Sequence, residues 1–177
     1  MNTRTLPHDA YITAVCDALT ADGLKPAESW TSDAETKGRY CYLNAVITLD
    51  PSGTADAFAE DIPAGTAWPH GLILRWEWHT GAEDDGPEKG PYWEFAALKE
   101  HGECRYPPVF LPVDGYASPA AIAAAARHVV DHRIKIDPFE IGGIKWNGGI
   151  VGDSWEQADE LEAACEAWGT AEAATSA

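Results

Sequence analysis

Basic residues are scarce. Twelve lysines and arginines stand against 29 aspartates and glutamates, a formal charge of −17 over 177 residues. A protein that binds nucleic acid directly neutralises phosphates with Lys and Arg, so direct nucleic-acid binding is not expected. An anionic membrane surface would repel the chain for the same reason. No stretch approaches the roughly 18 apolar residues of a membrane span, and the opening MNTRTLPHDAY has no apolar core of a secretory signal. Cysteine is sparse too. Cys16, Cys41, Cys104 and Cys165 are scattered, with no C-x-x-C pair, which fits reduced, buried thiols and speaks against a zinc site. The glycines at 142, 143, 148, 149 and 152 match neither G-x-G-x-x-G nor G-x-x-x-x-G-K-[ST], so no phosphate loop is expected. These absences lead to the expectation of a cytoplasmic protein that takes no cofactor.

What the chain has in quantity is aromatic and acidic side chains. Eight Trp and six Tyr accompany a hydrophobic fraction of 45%, enough for the core of one domain. Net charge of this size also keeps a protein soluble whatever its fold.

Periodicity places the elements. Asp9 as N-cap, Tyr11, Val15, Ala18 and Leu19 at helical spacing, and Gly23 as the stop predict a first helix. A polar stretch follows, with Trp30 as its one large apolar anchor. Residues 40–49, YCYLNAVITL, read as a strand ending at the turn Asp50-Pro51-Ser52-Gly53. Residues 50–70 read as a long connection pinned by Phe58, Ile62 and Trp68. LILRWEWH at 72–79 alternates, with Leu72, Leu74, Trp76 and Trp78 on one side and Ile73, Arg75, Glu77 and His79 on the other. YWEFAAL at 92–98 matches it across a hairpin, pairing Trp76 and Trp78 with Trp93 and Phe95.

The Pro-rich RYPPVFLPVDGYASP leads to a helix that starts at Ser118-Pro119 and carries Ile122, Ala126, Val129 and Val130. Asn147-Gly148 signals a short hairpin. A last helix opens at Ser154, with Gln157 in capping-box position, and runs to just before Gly169 with Trp155, Ala158, Leu161, Cys165 and Trp168 on one stripe. The expectation is one α+β domain over residues 1–169, with residues 170–177 a frayed tail. Its small antiparallel sheet has a three-strand core and room for an extra hairpin, and its helices pack on one face.

Four blocks together, HDAYITAVCDALTADGL, WPHGLILRWEWHTG…GPYWEFAAL, LPVDGYASPAAIAAAARHVV and WEQADELEAACEAWG, resemble a domain of unknown function found in actinobacteria and their mobile elements. The resemblance covers about 80 of the 177 residues. It implies a small cytoplasmic fold and carries no activity and no site residues.

Among the chemistry-bearing residues, Glu83, Asp84, Asp85 and Glu88 sit in the loop GAEDDGPEKG. Three consecutive carboxylates do not converge on one cation as the alternate oxygens of a calcium loop do, so the loop reads as a solvated hairpin tip. His128 and His132 lie four apart, on one helix face, the spacing of zinc-binding helices. Without a glutamate between them or a third ligand nearby, they read as helix-end residues and no metal is expected. Glu77 and His79 share the polar face of their strand with Arg75. A thiol nucleophile would need Cys41 or Cys104 to reach His79 or His101, which nothing requires.

The aromatic set divides between core packing and a docking surface, and the binding residues on the second reading are Trp76, Trp78, His79, Trp93 and Glu77. Functionally the chain reads as a non-enzymatic module that binds another protein, its oligomeric state left open. One alternative is an acidic mimic of DNA from a mobile element, with Glu156, Asp159, Glu160, Glu162 and Glu166 as the carboxylate row. The other is a small metal-dependent enzyme using His79 with Glu77, or His128 with His132.

Overall fold

The computed structural model describes residues 4–50, 70–105, 107–130, 134–136, 144–146 and 152–171. Ten elements follow in order: α1 (Asp9–Ala21), β1 (Glu28–Thr36), β2 (Arg39–Leu49), β3 (Leu72–His79), β4 (Lys89–Ala97), β5 (Val109–Phe110), α2 (Pro119–Val130), β6 (Ile134–Ile136), β7 (Ile144–Trp146) and α3 (Ala158–Thr170). The first five strands form an antiparallel sheet in chain order. The expected α+β architecture is the one observed, with the sheet extended by a strand at each edge.

β1 falls in the stretch read as merely polar. Its side chains toward the helices are Ser29, Thr31 and Asp33, so no apolar alternation marks it. Polar partners replace hydrophobic burial: Thr31 donates to Asp9 Oδ1 at 2.6 Å, and Asp33 pairs with Arg4 at 3.4 Å. β5 is only two residues long and interrupts the Pro-rich passage.

The core lies between one sheet face and the helices. Leu43, Ala45, Ile47 and Leu49 of β2 stand opposite Trp78, Trp76, Leu74 and Leu72 of β3, and Trp76 and Leu74 stand opposite Trp93 and Phe95 of β4. All of these are buried, and each large side chain so buried contributes about 1.5–3 kcal/mol. The small Ala45 opposite Trp76 leaves room for the indole. Three of the buried indoles find partners, as such N–H groups usually do: Trp76 Nε1 donates to Gly115 O at 2.8 Å, Trp93 Nε1 to Tyr11 Oη at 3.1 Å, and Trp78 Nε1 to Glu88 Oε1.

α1 buries Tyr11, Ile12, Val15 and Leu19. Against it packs α2, whose buried side includes four alanines between Ala121 and Ala126, small enough for two helices to approach closely. α3 buries Leu161, Cys165 and Trp168, and Trp168 stacks on Tyr40 at the start of β2 (4.8 Å, 27°).

Local caps differ in part from the sequence pattern. Gly23 ends α1 as expected: its φ is +80° and Leu24 N donates to Leu19 O at 2.8 Å. Ser118 caps α2 through Ala121 N at 3.2 Å. The N-cap of α1, however, is His8, while Asp9 accepts from Leu6 N at 2.8 Å. Nor does the Ser154–Gln157 capping box form. Ser154 bridges to Ala117, and α3 starts at Ala158 and continues through Gly169. β6 pairs with β7, on either side of residues 137–143. The turn expected at Asn147-Gly148, the pinning residues Phe58, Ile62 and Trp68, and the last six residues of the tail lie outside the described residues.

Candidate functional site

The sheet face turned away from the core carries the polar alternate residues of the same strands. In one cross-strand row, Trp30, Val46, Arg75, Glu94 and Phe110 stand opposite one another through β1 to β5. The next row is Ser32, Asn44, Glu77 and Tyr92, followed by Ala34, Tyr42 and His79.

Glu77 is the hub. Its Oε1 accepts from the Tyr42 hydroxyl at 2.8 Å and lies 3.0 Å from Arg75 Nε, while its Oε2 accepts from the Tyr92 hydroxyl at 2.9 Å. Asn44 Nδ2 donates to the Tyr42 hydroxyl. Arg75 also donates to Glu94 Oε2 through Nε at 3.0 Å, so one guanidinium bridges two carboxylates. Burial pushes the Tyr42 hydroxyl up to about 12, and the bond to Glu77 works in the same direction. Burial and then Glu77 raise Tyr92 as well. Both phenols are therefore fixed donors at neutral pH, and both oxygens of Glu77 are occupied. A carboxylate held in this way is an organiser of its face. To act as a general base it would first have to release a donor.

His79 lies at the edge of this network. Its Nε2 is 3.7 Å from Glu77 Oε2, its Nδ1 is 3.4 Å from Glu83 Oε1, and its ring tilts against Tyr42 at 4.6 Å. Among the described residues, no group of three or more His, Cys, Asp and Glu side chains is placed to hold a metal ion. The Cys41 thiol donates to Ala34 O at 3.5 Å.

The expected aromatic docking residues are placed differently. Trp76, Trp78 and Trp93 are 0%, 2% and 1% exposed, so they offer a partner no surface and are core residues. Glu77 and His79 project from the opposite face. Among the described residues, the large aromatics that stand exposed are Trp30 (46%) and Phe110 (59%). Trp30 is thus the reverse of the apolar anchor its isolation in a polar stretch suggested. Its side-chain direction follows from the pairing Trp30 with Val46, a register that sequence alone does not display. Phe110 meets Tyr92 at right angles, ring centroids 5.2 Å apart.

In the loop 81–90, Glu83, Asp84 and Asp85 are exposed, and Lys89 pairs with Asp84 at 3.3 Å. Glu88 has a structural task as well, accepting from the Trp78 indole. Glu156, Asp159, Glu160, Glu162 and Glu166 are all exposed, the last four on α3. His128 is half-buried in the last turn of α2, and His132 lies outside the described residues. No described helix is long and apolar enough to cross a membrane. No protein-family model, curated protein or solved structure matches the chain.

Proposed function

We propose that this protein is a non-enzymatic module that binds another protein on the sheet face opposite its helices, in the cytoplasm, where its four free cysteines would stay reduced. One observation carries the reading. The two exposed large aromatics among the described residues, Trp30 and Phe110, end the same cross-strand row, with the Arg75–Glu94 pair between them. Single exposed aromatics are ordinary, but two on one flat face, around a fixed set of Tyr, Arg and His side chains, have the composition of a protein interface. Four strand spacings of about 4.8 Å set them roughly 19 Å apart, within the span of a standard interface.

The test is retention from a host-cell lysate by three forms of the full chain. The native protein is compared with a Trp30→Arg, Phe110→Arg double variant and with a Glu162→Gln, Glu166→Gln double variant. A protein kept by the native form and the helix variant, and lost from the sheet variant, supports the reading. Retention by the sheet variant overturns it.

The acidic-mimic alternative draws on a different observation. After burial, Glu88 from the loop and Glu162 and Glu166 from α3 each push the Cys165 thiol up, so carboxylates from a loop and a helix act on one buried group. Loss from the helix variant alone would favour it.

A further inference from the structure

Among the described residues, exposed aromatics on this face are joined by carboxylates and by little free positive charge. Glu28 and Trp30 lie two residues apart on β1, so they project from the same face, and both are exposed. Their spacing of about 7 Å along the strand lets one long cationic side chain lie over the indole and reach the carboxylate. At the other end of the row, Phe110 stands directly opposite Glu94. The cation at the centre, Arg75, is already engaged by Glu77 and Glu94, and has little left to offer an acidic partner. The formal charge of −17 draws in positive chains and repels negative ones. Indole is the best aromatic acceptor of a cation, and Arg is the side chain most often found there.

Resting on the docking reading above, we infer that the occupant of the sheet face is a basic protein segment that places an arginine or lysine across Trp30 and Glu28. Phe110, against Tyr92, serves as the apolar anchor at the far edge. Specificity then comes from the aromatic and carboxylate side by side, and the net charge of the chain supplies attraction from a distance.

A nine-residue peptide of alternating Arg and Gly, titrated into the full chain and followed by amide and indole NMR shifts, tests this. Two further peptides replace Arg by uncharged citrulline or by Glu. The expected result is binding of the Arg peptide alone, with shifts at the Trp30 indole and along Glu28–Ser32. Trp30→Leu, which leaves the net charge unchanged, should weaken binding roughly three- to fivefold, and Glu28→Gln should weaken it more than Glu162→Gln does. Equal affinity for the native and Trp30→Leu proteins would reduce the effect to overall charge and overturn the inference, as would shifts confined to residues 156–166. The two proposals fail separately. A lysate partner lost from the sheet variant but not displaced by the Arg peptide leaves the docking face standing and removes the basic occupant. A lysate partner retained by the sheet variant removes the docking face itself.

Discussion

The Tyr11 hydroxyl stands between Trp93 and the carbonyl of Ala117, accepting from the indole at 3.1 Å and donating to the oxygen at 2.6 Å. It thereby ties α1 to β4 and to the chain entering α2, inside a core where Tyr11 is fully buried. Removing one partner from such a pair leaves the others desolvated and unpaired, which costs more than the bond itself contributes. Tyr11→Phe is expected to lower stability by about 1–3 kcal/mol, read as a shift in urea midpoint with an unchanged slope.

His8 gives the protein an acid sensitivity of known sign. Its Nε2 is 2.8 Å from Asn44 O, and because that oxygen only accepts, Nε2 carries the proton. Nδ1 is then a buried lone pair with no partner among the described residues, on a ring stacked 5.1 Å from Trp76. Burial lowers the His8 pKa below 6.5, against the opposing pull of the Asn44 bond, Asp9 and Asp33. The unfolded chain therefore takes up a proton before the folded one does. Its contribution to stability is present above pH 6.5 and is lost as pH falls through the lowered folded value. Denaturation at pH 8 and pH 5.5 should show a smaller loss for His8→Gln, which keeps a donor but does not titrate.

Glu77 holds its face together. Glu77→Ala leaves the hydroxyls of Tyr42 and Tyr92 without their acceptor and should cost about 1–3 kcal/mol. Glu77→Gln keeps one acceptor oxygen and should cost less. An alanine variant as stable as the native protein, by thermal and chemical denaturation, would show that the network contributes little.

Gly169 lies inside α3, where alanine would ordinarily be favoured. A Cβ there would meet Thr80 Cγ2 at 2.7 Å and Trp78 Cη2 at 2.9 Å. Gly169→Ala should therefore destabilise, by about 1–3 kcal/mol, and Thr80→Ser should restore part of the loss by removing the methyl. A melting temperature raised by Gly169→Ala alone would contradict this packing.

Cys165 should be inert while the chain is folded. It is fully buried, and burial, followed by Glu88, Glu162 and Glu166, pushes its thiol up to about 12. Thiolate is the reactive form, so mass-resolved labelling at pH 8 should find Cys165 unmodified until denaturant is added.

The readable parts of the fold were those written in neighbouring residues. LILRWEWH alternates over eight positions and is β3 residue for residue. Gly23 and Ser118 mark helix ends through their own backbone and side-chain chemistry. ESWTSDAET carries no such mark, because two of its inward residues, Thr31 and Asp33, are satisfied by Asp9 of α1 and by Arg4 in the segment before it.

The site shows the same division more sharply. That Glu77 and His79 share one face and Trp76 and Trp78 the other follows from the two-residue period of a strand, a property of the local chain. Composition likewise determined the acidic surface and the large aromatic content. Tertiary structure alone decided which face the helices cover, and so made Trp76, Trp78 and Trp93 core and left Trp30 and Phe110 outside. It also brought Tyr42 and Tyr92 onto Glu77 from the two neighbouring strands, and Glu94 onto Arg75. The reason is physical: alternation sorts side chains into two sets, but which set is buried depends on free energy gained against distant helices, and no window of neighbouring residues contains that contact.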